Sequence, residues 1–150
     1  MARPIKRKWF PKNPDKYKGD PNNIISRSSW EKRFFDWCDM NSSIVAWASE
    51  EIIVPYLDET SNKMRRYFVD AIIKVKDVDE NIKTFLVEIK PYKECHPPKY
   101  PGRQTKRYLT EVETFVKNQC KWKHARSYAQ DRKWEFIILT ERELFENGKV

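Results

Sequence analysis

The chain has 150 residues, 39% hydrophobic and 35% charged, enough for one ordinary domain and little more. Aromatic residues make up 14%, too many for a disordered chain, and with only 3 glycines no Gly-rich phosphate loop can be built. No apolar run approaches the roughly 18 residues of a membrane span, and 3 cysteines at unrelated spacings suit a reducing compartment better than a disulfide framework.

The net charge is +8 with a pI near 9.4, and the excess is uneven. Residues 1–18 carry seven Lys and Arg against Asp15 alone, and residues 93–133 carry eleven against four carboxylates. Clustered positive charge points to a polyanionic partner, because release of condensed counterions drives binding to a phosphate backbone. A solvated basic face is the alternative.

Residues 1–26 read as a basic N-terminal arm with no regular element, since Pro4, Pro11, Pro14, Gly19 and Pro21 interrupt any period. Trp9, Phe10 and Tyr17 could anchor it along the body. Residues 27–150 read as a single domain. Ser28 and Glu31 have the spacing of a capping box, and Trp30, Phe34, Trp37 and Cys38 recur at helical spacing, so a helix is expected from Ser28 to about Met40.

Residues 44–57 read as a strand. A second is expected from Tyr67 to Val75, with Phe68, Asp70 and Ile72 on one face, and a third from Thr84 to Lys90. The polar stretch 76–81 joins the last two as an antiparallel hairpin. A Pro-rich loop follows over 91–102. Two helices are then expected at about 104–118 and 122–132, a strand at Glu135–Thr140 and a last short helix. The order is that of a mixed α/β domain. Trp30, Trp37, Trp47 and Trp134 are expected in the core.

With a turn centred on Asp79, Asp70 falls directly across from Glu88, and Lys90 shares the face of Glu88. Opposed carboxylates repel unless a cation sits between them, and Mg²⁺ takes such hard oxygen ligands. A cation there would polarise a phosphoryl group, with Lys90 beside it to hold water or steady the charge on phosphorus. The plain alternative is a hairpin with a solvated polar face. Against it stands the cost of carboxylates among Phe68, Ile72 and Leu86. Glu31 has two readings from its residues alone: the cap, or a carboxylate reaching the pair from the helix. Cys95-His96 with Cys120-x₃-His124 matches no standard zinc spacing.

The set Asp70, Glu88-Ile89-Lys90 with Glu31 on the preceding helix resembles the PD-(D/E)xK nuclease motif. Longer strings make the resemblance specific: WFPKNPDKYKGDP, RSSWEKRFFDW, IVAWASEEIIVPY, RRYFVD, VEIKPYKE followed by HPP, and KWKHARSYAQ with FIILTE. Over nearly the whole chain these resemble the head completion nucleases of T-even-type tailed phages. They are more distantly similar to the endonuclease subunit of certain cut-and-paste transposons. The resemblance implies a restriction-endonuclease-like αβββαβ core, with a mixed central sheet flanked by helices. It also implies a metal-dependent DNA endonuclease acting on packaged DNA ends before tail attachment.

By the resemblance Asp70, Glu88 and the Ile89 carbonyl are metal ligands, Lys90 is the catalytic lysine and Glu31 the helix-borne acid. Val69 stands where the family's nominal motif has proline. The implied cofactor is Mg²⁺, with Mn²⁺ able to substitute. The implied partners are double-stranded DNA and phage capsid, portal or neck proteins, with no membrane, and the implied location is the virion and the infected host's cytoplasm. Lys93, Lys99, Arg103, Lys106 and Arg107 follow Lys90 and are expected to line a groove for the DNA backbone. The arm is read as a grip on DNA or the portal region, or as a mobile tail. The competing function is a DNA-binding or virion assembly protein that keeps the nuclease fold without cutting.

Overall fold

The computed structural model describes residues 5–145; Arg3 and Pro4 of the expected arm lie outside the described residues. The stretch expected to lack regular elements contains two. Strands β1 (Arg7–Trp9) and β2 (Ile24–Ser26) pair antiparallel, with a 3-10 turn at Pro14–Lys16 between them. Three-residue strands leave no readable period, which is why the prolines dominated the sequence pattern.

Helix α1 (Ser29–Met40) begins where expected, with the Ser28 hydroxyl oxygen accepting the Glu31 N–H at 3.2 Å. It buries Phe34, Phe35 and Cys38 and binds the N-terminal segment along its length. The Trp9 indole donates to Asp36 at 2.9 Å, and the Lys12 and Asn13 amides donate to Asp39 at 2.9 and 3.0 Å. Lys16 Nζ donates to the carbonyls of Cys38 (2.7 Å), Asp39 (3.1 Å) and Asn41 (2.8 Å). A lysine thus satisfies the helix's orphan carbonyls and opposes the negative end of its dipole.

The expected strand over 44–57 is two, β3 (Ile44–Ser49) and β4 (Ile53–Asp58), and the strand over 67–75 is also two, β5 (Lys63–Phe68) and β6 (Ala71–Lys76). Pairing switches at residues 50–52 and 69–70. Glu50 has φ +57°, its N–H donates to the Asp70 carbonyl (3.2 Å), and the Val69 N–H donates to the Ile52 carbonyl (3.0 Å). A single positive-φ residue bends the ribbon here, and Glu carries no side-chain signal for that geometry. β4 and β5 consequently form their own two-stranded sheet.

β7 (Ile82–Ile89) pairs with β6 in the expected register, Ala71 opposite Val87 and Lys76 opposite Ile82. Helix α2 (Lys106–Asp131) is one helix of 26 residues rather than two, because Asn118-Gln119-Cys120-Lys121 contains no Gly or Pro to break it. β8 (Glu135–Leu139) returns parallel to β7, and α3 (Glu141–Leu144) follows. The central sheet runs β3-β6-β7-β8 and is mixed, as expected of an αβββαβ core.

One face packs Trp47, Ala71, Ile73 and Val87 against α1, and the N-terminal segment adds Trp9 and Tyr17. The other packs Leu86 and Val69, with Val54 and Tyr56 of β4, against Trp122, Ala125 and Ala129 of α2. Trp47 is fully buried, but Trp37 is 47% exposed. Trp30 and Trp134 are half-buried, so of the four tryptophans placed in the core only Trp47 lies fully inside.

Replacing Lys16 with methionine strands the Cys38 carbonyl, whereas the Asp39 carbonyl keeps the Asn13 side-chain amide (3.0 Å) and the Asn41 carbonyl the Ile44 N–H (3.0 Å). Lys16→Met is expected to lower stability by about 2 kcal/mol in urea unfolding. Lys18→Met, whose ammonium among the described residues meets only the Asp15 carbonyl, should change it by less than about 0.5 kcal/mol.

Candidate active site

Asp70 immediately precedes β6 and Glu88 lies in β7, and continuing the Ala71–Val87 pair by one residue sets them opposite each other. Asp70 Oδ2 accepts the Ile89 N–H at 2.7 Å. Glu88 is 6% exposed, and its Oε2 accepts the Tyr67 hydroxyl proton. The buried Trp122 indole N–H lies beside Glu88 and favours its charged form, though it falls outside ordinary hydrogen-bond geometry. Phe68 does not share this face: the bend before β6 turns it out to 46% exposure.

Glu31 does not complete its capping box. Its carboxyl lies instead toward Asp70 and Glu50, where burial, then the Asp70 charge, then Glu50, push its pKa up to about 7, with the Arg27 amide opposing. Burial also pushes Asp70 up to about 6, against the Ile89 amide and the charge of Lys90. Glu88 is raised as well, by burial, with Lys90 and Lys121 opposing. Lys121, on α2, is lowered by its own burial and held up in part by Glu88. Carboxylates and lysines thus face one another here without a close ion pair among the described residues.

Arg27 and Glu50 close one side, with Nε–Oε1 at 2.5 Å and Nη2–Oε2 at 3.1 Å. Five participants lie within the strings that carry the resemblance but were given no role at the site: Arg27, Glu50, Tyr67, Lys121 and Trp122. Tyr67 and Lys121 reach Glu88 only because β5 and α2 meet over the sheet.

Among the described residues no three His, Cys, Asp or Glu side chains gather closely enough to hold a metal. The expected ligand set is two carboxylates and one main-chain carbonyl. Among the described residues Asp70 Oδ1 and Glu88 Oε1 accept no hydrogen bond, and such half-used carboxylates, one half-buried and one buried, suit a hard divalent cation chemically. His124 is already engaged, bonded to the Cys120 carbonyl (2.8 Å) and the Leu57 N–H (3.4 Å). Lys93, Lys99, Arg103, Lys106 and Arg107 are all exposed along the turn after Lys90, the loop and the start of α2. Arg107 pairs with Glu111 at 3.1 Å.

Residues 41–141 match the family model described as "TnsA-like endonuclease N terminal". The chain is similar to the head completion nuclease of Enterobacteria phage T4, 46% identical over 138 residues, which is 89% of this chain and 89% of that protein. Among the described residues no helix is long and apolar enough to cross a membrane.

The raised carboxylates have a stability signature. The folded values of about 6 for Asp70 and about 7 for Glu31 lie above the unfolded ones. The folded protein therefore keeps protons that the unfolded chain has lost from about pH 4 upward, and stability falls as pH rises through that window. Asp70→Asn, which retains an acceptor for the Ile89 amide, should raise stability by about 2 kcal/mol at pH 8. In chemical unfolding across pH, that gain should disappear below about pH 4.

Proposed function

The chain belongs to the TnsA-like endonuclease family, and from that membership we propose that it is a metal-dependent endodeoxyribonuclease of phage head completion. It acts on packaged DNA ends before tail attachment, in the virion and in the host cytoplasm during assembly, where its partners are double-stranded DNA and capsid, portal or neck proteins. The observation that carries the chemistry is the opposed pair of half-buried Asp70 and buried Glu88, each with an unused oxygen, beside Lys90. A stable fold has no use for such a pair, since each carboxylate loses solvation and neither is closed into an ion pair among the described residues.

Asp70, Glu88 and the Ile89 carbonyl would hold Mg²⁺, or Mn²⁺ in its place. When bound, the cation supplies Lewis-acid charge at the scissile phosphate. Lys90 orients the attacking water and stabilises the negative charge that grows on the phosphoryl oxygens. Glu31, with its pKa near 7, is poised to take a proton at neutral pH. Tyr67 fixes the rotamer of Glu88, and the Ile89 amide fixes that of Asp70. Lys93, Lys99, Arg103, Lys106 and Arg107 hold the DNA backbone without reading its sequence.

Linear and supercoiled duplex DNA should be cut in Mg²⁺ and left intact in EDTA. Asp70→Asn and Lys90→Ala should each lower the cleavage rate by at least about 100-fold while duplex binding survives. A folded wild-type protein that binds DNA and never cuts it would overturn the enzyme reading in favour of a non-catalytic DNA-binding protein on a nuclease scaffold. Mg²⁺ should also raise the melting temperature of the wild type and leave that of Asp70→Asn unmoved.

A further inference from the structure

The β4–β5 hairpin divides its side chains by strand alternation. Val54, Tyr56 and Tyr67 are buried toward α2, whereas Ile53, Pro55, Met64, Arg66 and Phe68 point outward and are exposed. Met64 is 64% and Phe68 46% exposed, and the Arg66 guanidinium lies 5.7 Å from the centre of the Phe68 ring. These outward side chains share a concavity of about 550 Å³ with Tyr56, Arg65 and, from α2, Lys121.

Its charge is of one sign. Three of its bordering residues are cations and none is a carboxylate. Arg65 is committed to Asp58 at 2.8 Å, but Arg66 and Lys121 have no ion-pair partner among the described residues. The surface is also continuous with the candidate site. Phe68 precedes Asp70 by two residues, about 7 Å along an extended chain. The Lys121 ammonium lies 5.7 Å from the centre of the Tyr67 ring, whose hydroxyl bonds Glu88.

We propose that the outer face of the β4–β5 hairpin, with Lys121 of α2, is a second contact surface for duplex DNA, holding the backbone that leads away from the scissile phosphate. Arg66 and Lys121 meet phosphates, while Phe68 and Met64 lie against deoxyribose, an arrangement that anchors a strand without reading bases. Exposed apolar side chains interleaved with unpaired cations match the sugar–phosphate alternation of that ligand. The inference rests on the nuclease reading above and adds an element to it, distinct from the basic residues that follow Lys90.

The test uses the full chain and a short fluorescein-labelled duplex, titrated by anisotropy in EDTA over a range of salt. Arg66→Gln should weaken binding and reduce the steepness of the log K against log salt line by about one. Phe68→Ala should weaken binding severalfold with the slope unchanged. Lys83→Gln, the same loss of charge near the opposite end of β7, should change neither. Both test side chains are exposed, so thermal melts should match the wild type. If the wild type binds and cuts duplex DNA but Arg66→Gln and Phe68→Ala bind as it does, the hairpin inference falls alone. A uniform loss that Lys83→Gln shares would also overturn it. If the wild type neither binds nor cuts, the nuclease reading fails and takes the inference with it.

Discussion

The bend at residues 50–52 and 69–70 sets most of what lies around Asp70. Two hydrogen bonds hold it, Glu50 N–H to the Asp70 carbonyl and Val69 N–H to the Ile52 carbonyl. With them the long ribbon leaves the central sheet and becomes the β4–β5 hairpin over α2. Asp70 sits at that joint, so its carboxylate is free to turn to the Ile89 amide rather than stand perpendicular to the sheet. Glu50 adopts the left-handed conformation, at a cost of about 1 kcal/mol or more for a residue with a side chain. The Arg27 fork on its carboxylate helps to hold it there. The same residue therefore bends the backbone and contributes a negative charge next to Glu31 and Asp70.

Two buried or half-buried aspartates show how differently the fold treats carboxylates. Asp58 accepts the Thr60 amide and hydroxyl, the Ser61 hydroxyl and Arg65, and its pKa is held down to about 2. Asp70 receives one amide and is pushed up to about 6. The first belongs to a satisfied turn that stabilises the hairpin tip. The second is a local conflict, an ionisable group placed where burial opposes its charge. Conflicts of this kind concentrate where a protein gives up stability for chemistry. Glu31 and Glu88 share the same condition, which distinguishes this cluster from the exposed i, i+4 pairs on α1 and α2.

The sequence carried the central hairpin clearly, because a polar turn and strict alternation on both sides admit a single register. A slip of one residue would exchange Val87 with Glu88 between the faces of the sheet. The start of α1 was equally legible from Ser28. Other features left weaker traces. The first half of α2 is largely exposed and its buried residues begin at Asn118. The apolar period thus changes partway along, and one helix reads as two. Trp37 kept helical spacing but faces outward, stacked on Phe34 at 5.9 Å between centroids. Spacing defines a face of a helix; what covers that face depends on the tertiary partner.

At the candidate site the same distinction separates what could be read from what could not. Asp70, Glu88 and Lys90 lie on or next to two strands joined by a short turn, so their proximity is a local consequence of register. Glu31 could be placed only through its helix, and its two readings differ by one rotation of the side chain. Tyr67, Lys121 and Trp122 reach Glu88 through the packing of α2 on β4 and β5. That packing joins residues more than thirty positions apart and leaves no pattern in either segment. The bend before Asp70 depends on a positive φ at a glutamate, a residue type that gives no hint of it. Local alternation therefore reveals the two opposed carboxylates, while the groups that hold and neutralise them are chosen by long-range packing.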